Sequence, residues 1–176
     1  VDGEFLRARL LFLILALAVA GCAGTPKTYD LSAAPGRAQA RGTLGLDIVR
    51  VEPPFDGDAI VIRTADGLER LPDAQWADGL PRLARSRVVE SLENVGWRVG
   101  DLGGVRLRVE IRRFEIDSLT REARVELAAQ FAGGGARVFA ASEPVAEISG
   151  AQPAAALDRA FGRVLGDLAR WSLAVR

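Results

Sequence analysis

Between Thr43 and Val51 apolar and polar residues alternate, with Leu44, Leu46 and Ile48 on one side and Asp47 and Arg50 displaced from it. A period of two marks a half-buried strand. Glu52-Pro53-Pro54-Phe55-Asp56-Gly57-Asp58 breaks the pattern, and Ala59–Ala65 resumes it with Ile60 and Ile62 on one face. Asp66-Gly67 is a two-residue hairpin signal. Leu68–Leu71 then returns as a third strand that Pro72 is expected to stop. The spacing of Leu80, Leu83, Ala84, Val88, Leu92 and Val95 predicts a helix. Asp78 is its expected N-cap, Pro81 fits its first turn, and Gly96 can take the left-handed position after its end. Trp97–Val99 has the character of a short extra strand.

The segment Val105–Asp117 changes parity partway. Val105, Leu107, Val109 and Ile111 share one face, whereas Phe114 and Ile116 take the other parity. A strand that keeps one buried face can do this only through a bulge, expected at Arg112-Arg113. The following segment supports the bulge independently. Val125, Leu127, Ala129 and Phe131 hold one parity throughout. With a turn at Ser118–Arg121, Glu115 falls opposite Arg124 and Arg113 opposite Glu126. Beyond the bulge, Ile111 falls opposite Leu127 and Leu107 opposite Phe131. Gly133-Gly134-Gly135 turns the chain again into Ala136–Ile148, interrupted near Pro144 as suits an edge strand. Pro153 then opens a helix with an apolar stripe at Leu157, Phe161, Val164, Leu165, Leu168 and Trp171.

The order is β-β-β-α-β-β-β-α. Tight turns between most strands imply a mainly antiparallel sheet, and two amphipathic helices suffice to cover one of its faces. The expected fold class is therefore α+β, a two-layer sandwich. The chain of 176 residues carries 23 basic and 23 acidic side chains, no histidine and one cysteine. It is long enough for one domain with a substantial core. Zero net charge gives no electrostatic reason to bind nucleic acid. The missing histidines and the single cysteine remove His-based triads, His-ligated zinc, internal disulfides and CxxC chemistry.

That cysteine has a particular place. Arg7 and Arg9 precede an unbroken apolar run from Leu10 to Ala20. Eleven helical residues reach only about 16 Å, half of a ~30 Å hydrocarbon core, so the run reads as an export signal and not a span. Val19-Ala20-Gly21-Cys22 then resembles a bacterial lipobox. Cleavage would leave Cys22 as the mature N-terminus, carrying a diacylglyceryl thioether and an N-acyl chain, enough acyl chain for stable anchoring. Ala23 in place of Asp favours the outer membrane facing the periplasm, by resemblance to the sorting rule of Gram-negative lipoproteins. The expected organisation is a signal peptide over 1–21, the lipidated cysteine and a flexible tether over 22–42, and one domain over 43–176. Within the tether, Tyr29-Asp30-Leu31 could make a short extended contact.

Candidate chemistry is sparse. Asp56, Asp58 and Asp66 lack the ligand pattern of a calcium loop and read as turn residues. No phosphate-binding glycine loop occurs, and Ser86, Ser91, Ser118 and Ser142 lack a His partner or a GxSxG setting. No catalytic residue, cofactor or metal ligand is expected, although a hydrolase working through carboxylates stands as a distant reading. Arg106, Arg108, Arg112 and Arg113 form a basic row. The row is either a solvated sheet face paired with Glu110, Glu115 and Glu126, or a docking surface for an acidic protein or anionic lipid headgroups. Trp76, Trp97 and Trp171 read as packing residues.

Several stretches resemble one family in order: Tyr29-Asp30-Leu31 after a lipobox, Val51-Glu52-Pro53-Pro54-Phe55, Ile60-Val61-Ile62-Arg63, Trp76-Ala77-Asp78-Gly79-Leu80-Pro81, and Leu107-Arg108-Val109-Glu110-Ile111-Arg112-Arg113-Phe114. They are similar to the ABC-type transport auxiliary lipoproteins, the PqiC-like proteins. The resemblance implies a non-catalytic, lipid-anchored periplasmic component of an Mce-linked lipid transport system at the outer membrane. Its implied partners are an MCE-domain protein and an inner-membrane ABC transporter complex, and self-association is compatible with it. A lipoprotein resembling LptE, assisting an outer-membrane barrel, is the alternative. Only Cys22 carries over as a site residue.

Overall fold

The computed structural model describes residues 25–100 and 104–174; the leader, the lipobox and Cys22 lie outside them. In chain order the elements are β1 (Lys27–Tyr29), β2 (Gly42–Val51), β3 (Ala59–Arg63), β4 (Leu68–Trp76), α1 (Leu80–Asn94), β5 (Trp97–Gly100), β6 (Val105–Asp117), β7 (Glu122–Phe131), β8 (Ala136–Pro144) and α2 (Gln152–Ser172).

β6 is the spine of a single mixed sheet. Along one edge it pairs antiparallel with β7 from Leu107↔Phe131 to Asp117↔Glu122. The register shifts between Ile111 and Arg113, and all four pairings expected from the sequence are present. The opposite edge of β6 is shared by two strands laid end to end, both parallel to it. β2 covers Val105–Ile111 and β3 covers Glu115–Asp117. The 52–58 loop leaves the sheet where one gives way to the other, tied by a bond from Glu52 N–H to the Ile111 carbonyl at 3.0 Å. β5 then flanks β2, β4 and β1 flank β3, and β8 forms the far edge beyond β7. β3–β4, β6–β7 and β7–β8 are antiparallel and include the two longest ladders, while β2–β6, β3–β6, β2–β5 and β1–β4 are parallel.

Both helices lie on one face, α1 against β2 and β5 and α2 against β6, β7 and β8. The α+β two-layer sandwich is therefore as the periodicities imply. Leu157, Phe161, Val164, Leu165 and Leu168 of α2 are all fully or almost fully buried against Leu107, Ile111, Phe114, Val125 and Leu127 of the sheet. The three tryptophans pack as expected. Trp76 lies in the core, Trp97 donates its indole N–H to Ser172 Oγ at 2.9 Å, and Trp171 stacks near Phe131 and Phe139.

Several local expectations need correction. β4 does not stop at Pro72 but runs to Trp76. Val61↔Arg70 and Ala59↔Gln75 are successive pairings, so the extra residues of β4 form a bulge, and a bulge is where a strand tolerates proline. The hairpin before β4 closes through Thr64 N–H to Gly67 O at 2.8 Å, which puts Ala65 and Asp66, not Asp66 and Gly67, at its corner. β2 carries a register shift between Leu46 and Val49, after which Val49 and Val51 take over the buried face; the Ile48 side chain is outside the description. The N-cap of α1 is Gly79, one residue after Asp78. The Asp78 carboxylate instead accepts the Gly79 N–H at 2.7 Å and pairs with Arg82 one turn on.

The largest correction concerns the tether. From Lys27 onward it is part of the fold. β1 pairs with β4, and Leu31 and Ala34 are buried. Ser32 donates through its N–H (2.6 Å) and its hydroxyl (3.0 Å) to Asp158 of α2. Ala34 N–H donates to Ser91 Oγ, and its carbonyl accepts from Asn94 Nδ2, both at 2.9 Å. Gln39 and Ala40 N–H groups share the Val95 carbonyl. The strip has no periodicity of its own because scattered side chains of the helices and the Val95 carbonyl, not a strand ladder, hold its backbone after β1.

Candidate docking face

The face of the sheet away from the helices holds the basic row. Alternation along β6 sends Leu107, Val109 and Ile111 to the helices and Arg106, Arg108 and Glu110 to the other side. The bulge adds both Arg112 and Arg113 to the exposed set. Three of these four arginines have carboxylates at hand. Arg106 pairs with Asp47 of β2, Arg112 with Glu110 at 3.1 Å, and Arg113 with Glu115 at 3.5 Å. The row is thus a paired, largely solvated surface, the first of the two sequence readings. Such exposed pairs contribute about 0–1 kcal/mol each.

The register of the β6–β7 hairpin is as expected, but the charges choose other partners. Arg113 faces Glu126 in register yet bonds Glu115. Arg124 faces Glu115 yet bonds Asp117 at 2.8 Å and Glu122 at 3.3 Å. The reason lies in β3. Arg63, beside Asp117 in the parallel pairing, reaches Glu115 with two bonds of 2.9 Å, Nε to Oε1 and Nη2 to Oε2. This fork raises the Arg63 guanidinium further above its already high ordinary pKa. Glu115 is thereby fully buried on a face whose parity marks it as exposed.

Two other carboxylates escaped the sequence reading. Asp117 accepts the N–H groups of Leu119 and Thr120, both at 3.0 Å, and closes the β6–β7 turn. The Thr120 N–H, with help from Arg124 and Leu119, holds the Asp117 carboxyl below its usual range against the opposing effect of burial. Glu143 lies on the helix-facing side of β8, where Arg159 and Arg163 of α2 reach it. The four-residue spacing of those arginines is a visible helical signal, but only the β8–α2 packing identifies their target.

Glu115→Gln keeps the shape and removes the charge shared by Arg63 and Arg113. Arg63 is 42% exposed and can be rehydrated, so the expected loss is about 1–3 kcal/mol and not the larger cost of stranding a buried ion. Urea denaturation measures it; an unchanged midpoint would remove the pair from the account of stability. Asp117 gives a pH signature. Its stabilisation is complete above the unfolded carboxyl pKa of about 3.9 and is lost as pH falls through the lower folded value. Melting curves from pH 7 to 2 should show wild type ahead of Asp117→Asn at neutral pH and the two converging in acid. Parallel curves would contradict this.

On the helix side, an open trough of about 570 Å³ runs between residues 34–39 and α2, with Gly162, Gly166 and Ala169 on its floor. Arg163 and Arg170 at its rim are already engaged with Glu143 and Asp167. The Asp56–Asp58 loop supports the fold through its backbone. The carbonyls of Gly57 and Asp58 accept the N–H groups of Leu80 and Trp76 at 2.9 and 2.7 Å. Among the described residues no group of three His, Cys, Asp or Glu side chains could hold a metal ion, and no helix is long and apolar enough to cross a membrane.

The fold is thus a two-layer α+β module whose buried carboxylates are bound by guanidinium groups. Residues 29–169 match the sequence profile of the ABC-type transport auxiliary lipoprotein component, and the chain belongs to that family. An uncharacterized protein of Bradyrhizobium diazoefficiens is 29% identical over 164 residues, 83% of this chain; the chain spans 44% of that relative's length. The crystal structure of XCC0632 from Xanthomonas campestris superposes with a TM-score of 0.74 at 24% identity, covering 85% of this chain and 95% of that one. A second uncharacterized protein of known structure gives a TM-score of 0.68 at 19% identity, covering 85% and 99%. At these identities both share the fold alone.

Proposed function

We propose that the protein is a non-catalytic, lipid-anchored periplasmic component of an Mce-linked lipid transport system, docking or assembling the system at the outer membrane. The observation that carries the reading is one of spacing. A lipobox-like Val19-Ala20-Gly21-Cys22 stands just ahead of residue 29, where the match to a transport auxiliary lipoprotein begins. An ion-paired surface supports a binding role over turnover, because every buried carboxylate of the described fold already has a guanidinium partner.

In this reading residues 1–21 are removed, Cys22 carries the acyl chains, and the inner-membrane ABC transporter and an MCE-domain protein are the partners, with self-association of the auxiliary chain as a further feature. Cys22→Ser is expected to yield a folded protein that moves from the membrane to the soluble fraction, because two or more acyl chains supply the anchoring. Retention of the variant in membranes would refute the anchor. Crosslinking in the native host is expected to capture an MCE-domain protein. Capture of an outer-membrane barrel instead would favour an LptE-like role.

A further inference from the structure

Two hairpin tips share one end of the sheet. Arg63 pairs with both Leu68 and Asp117, and Ser118 N–H bonds the Arg63 carbonyl at 2.9 Å. The corners at 64–67 and 118–121 therefore stand side by side. They carry Leu119, 71% exposed, and Leu68, 42% exposed. Among the described residues the remaining exposed large hydrophobic is Val138, on the β8 edge. Singly such residues are ordinary; here two of the three lie together at one end of the sheet.

The start of the folded chain lies near the same end. Lys27 pairs with Ala74, and the next residue, Gln75, is level with Ala59, the first residue of β3. Lys27 stands one residue nearer the tips than that level, about 13 Å from Thr64, where the first turn begins, at ~3.3 Å per residue. β1 runs parallel to β4, which leads away from the tips, so the chain reaches Lys27 from the tip side. Lys27 follows Cys22 by five positions, with four residues between them, a reach of at most about 18 Å. The opposite end of the sheet, at Val105 and the 132–135 turn, is roughly 30 Å from the level of Lys27. An acyl group on Cys22 can reach a bilayer at the tips and cannot reach one at the far end.

The geometry points to a bilayer-facing end: the 64–67 and 118–121 turns rest on the lipid surface, with Leu119 and Leu68 entering its interface. This rests on the lipidation of Cys22 proposed above. The charges beside the tips are balanced, with Asp66 and Glu69 set against Arg70 and Arg121. The contact is therefore apolar in origin and independent of anionic lipid. It leaves the 132–135 turn and the β5 end pointing away from the membrane, toward whatever the domain docks.

The test uses the full chain, processed in a host that lipidates it and reconstituted in phosphatidylcholine vesicles. Leu119→Cys, Leu68→Cys and Val138→Cys each add one reactive thiol, since a lipidated Cys22 sulfur is a thioether. Each is labelled with an environment-sensitive fluorophore. Probes at 119 and 68 should be quenched by nitroxide-bearing lipid and shielded from aqueous iodide, with the reverse at 138. Probes at 119 and 68 that behave like the one at 138, in protein shown by mass spectrometry to be lipidated, overturn the orientation alone. Finding Cys22 unmodified overturns the anchor and the orientation together.

Discussion

Phe161→Ala is expected to lower stability by about 3–5 kcal/mol, the cost of removing a buried aromatic ring and leaving a cavity. Phe161 is fully buried on α2 and meets Phe114 of β6 edge to face, with ring centroids 5.5 Å apart. Phe114 in turn meets Trp76 of β4 at 5.7 Å in the same manner. The three rings run from helix to sheet through the centre of the core, so the void would open between the turns of α2 and the β6 ladders, where neither backbone can readily collapse. Urea unfolding should show a lower midpoint with an unchanged slope. A loss below about 1 kcal/mol would mean that α2 does not present this face to the sheet. A double-mutant cycle with Phe114→Leu should show coupling, since the two rings touch.

The second large effect is expected at Gly96. It follows α1 with φ +100°, a conformation that strains any side chain-bearing residue. A Cβ there would lie 2.8 Å from the Ala40 carbonyl oxygen and 3.2 Å from the Gln39 and Ala40 nitrogens. Those two N–H groups are the ones that dock the N-terminal strip on the Val95 carbonyl. Gly96→Ala therefore combines backbone strain of roughly 1–3 kcal/mol with overpacking of similar size. It should lower Tm and open residues 27–40 to proteolysis. Gly162→Ala, in mid-α2 where an added methyl meets nothing within 4 Å, is the control and should not destabilise. Equal melting of all three proteins would refute the close approach.

The contrast between these sites and Arg63–Glu115 explains what was legible in the sequence. The α2 stripe, the glycine after α1 and the β6–β7 hairpin are local. Each shows as a local pattern (a helical period, a glycine after a helix end, parity matched across one tight corner) whatever the distance to what it packs on. The bulge at Arg112-Arg113 was legible because a parity change in one strand met constant parity in the next. Parallel pairing leaves no such trace. β2 and β3 reach β6 across long stretches of intervening chain, so the fork from Arg63 and the burial of Glu115 could not be read from either strand. The Leu31–Ala40 strip was misread for a related reason: its hydrogen-bond partners are isolated side chains and carbonyls on α1 and α2. Cys22, the one expected site residue, is carried by its motif and lies outside the described residues.

The end-to-end arrangement of β2 and β3 has a kinetic consequence. Neither strand has its central neighbour until β6 has been made, and β6 arrives roughly fifty to sixty residues later in the chain, a separation whose loop-closure entropy must be met before the ladders can form. The β6–β7 hairpin, closed by a four-residue corner, is the natural nucleus onto which the earlier strands condense. Nascent chains ending before Val105 would hold β2 beside β5 and β3 beside β4, each with the apolar-faced edge that belongs against β6 left open. Such fragments should aggregate, whereas those extending past Phe131 should begin to protect their amides from exchange.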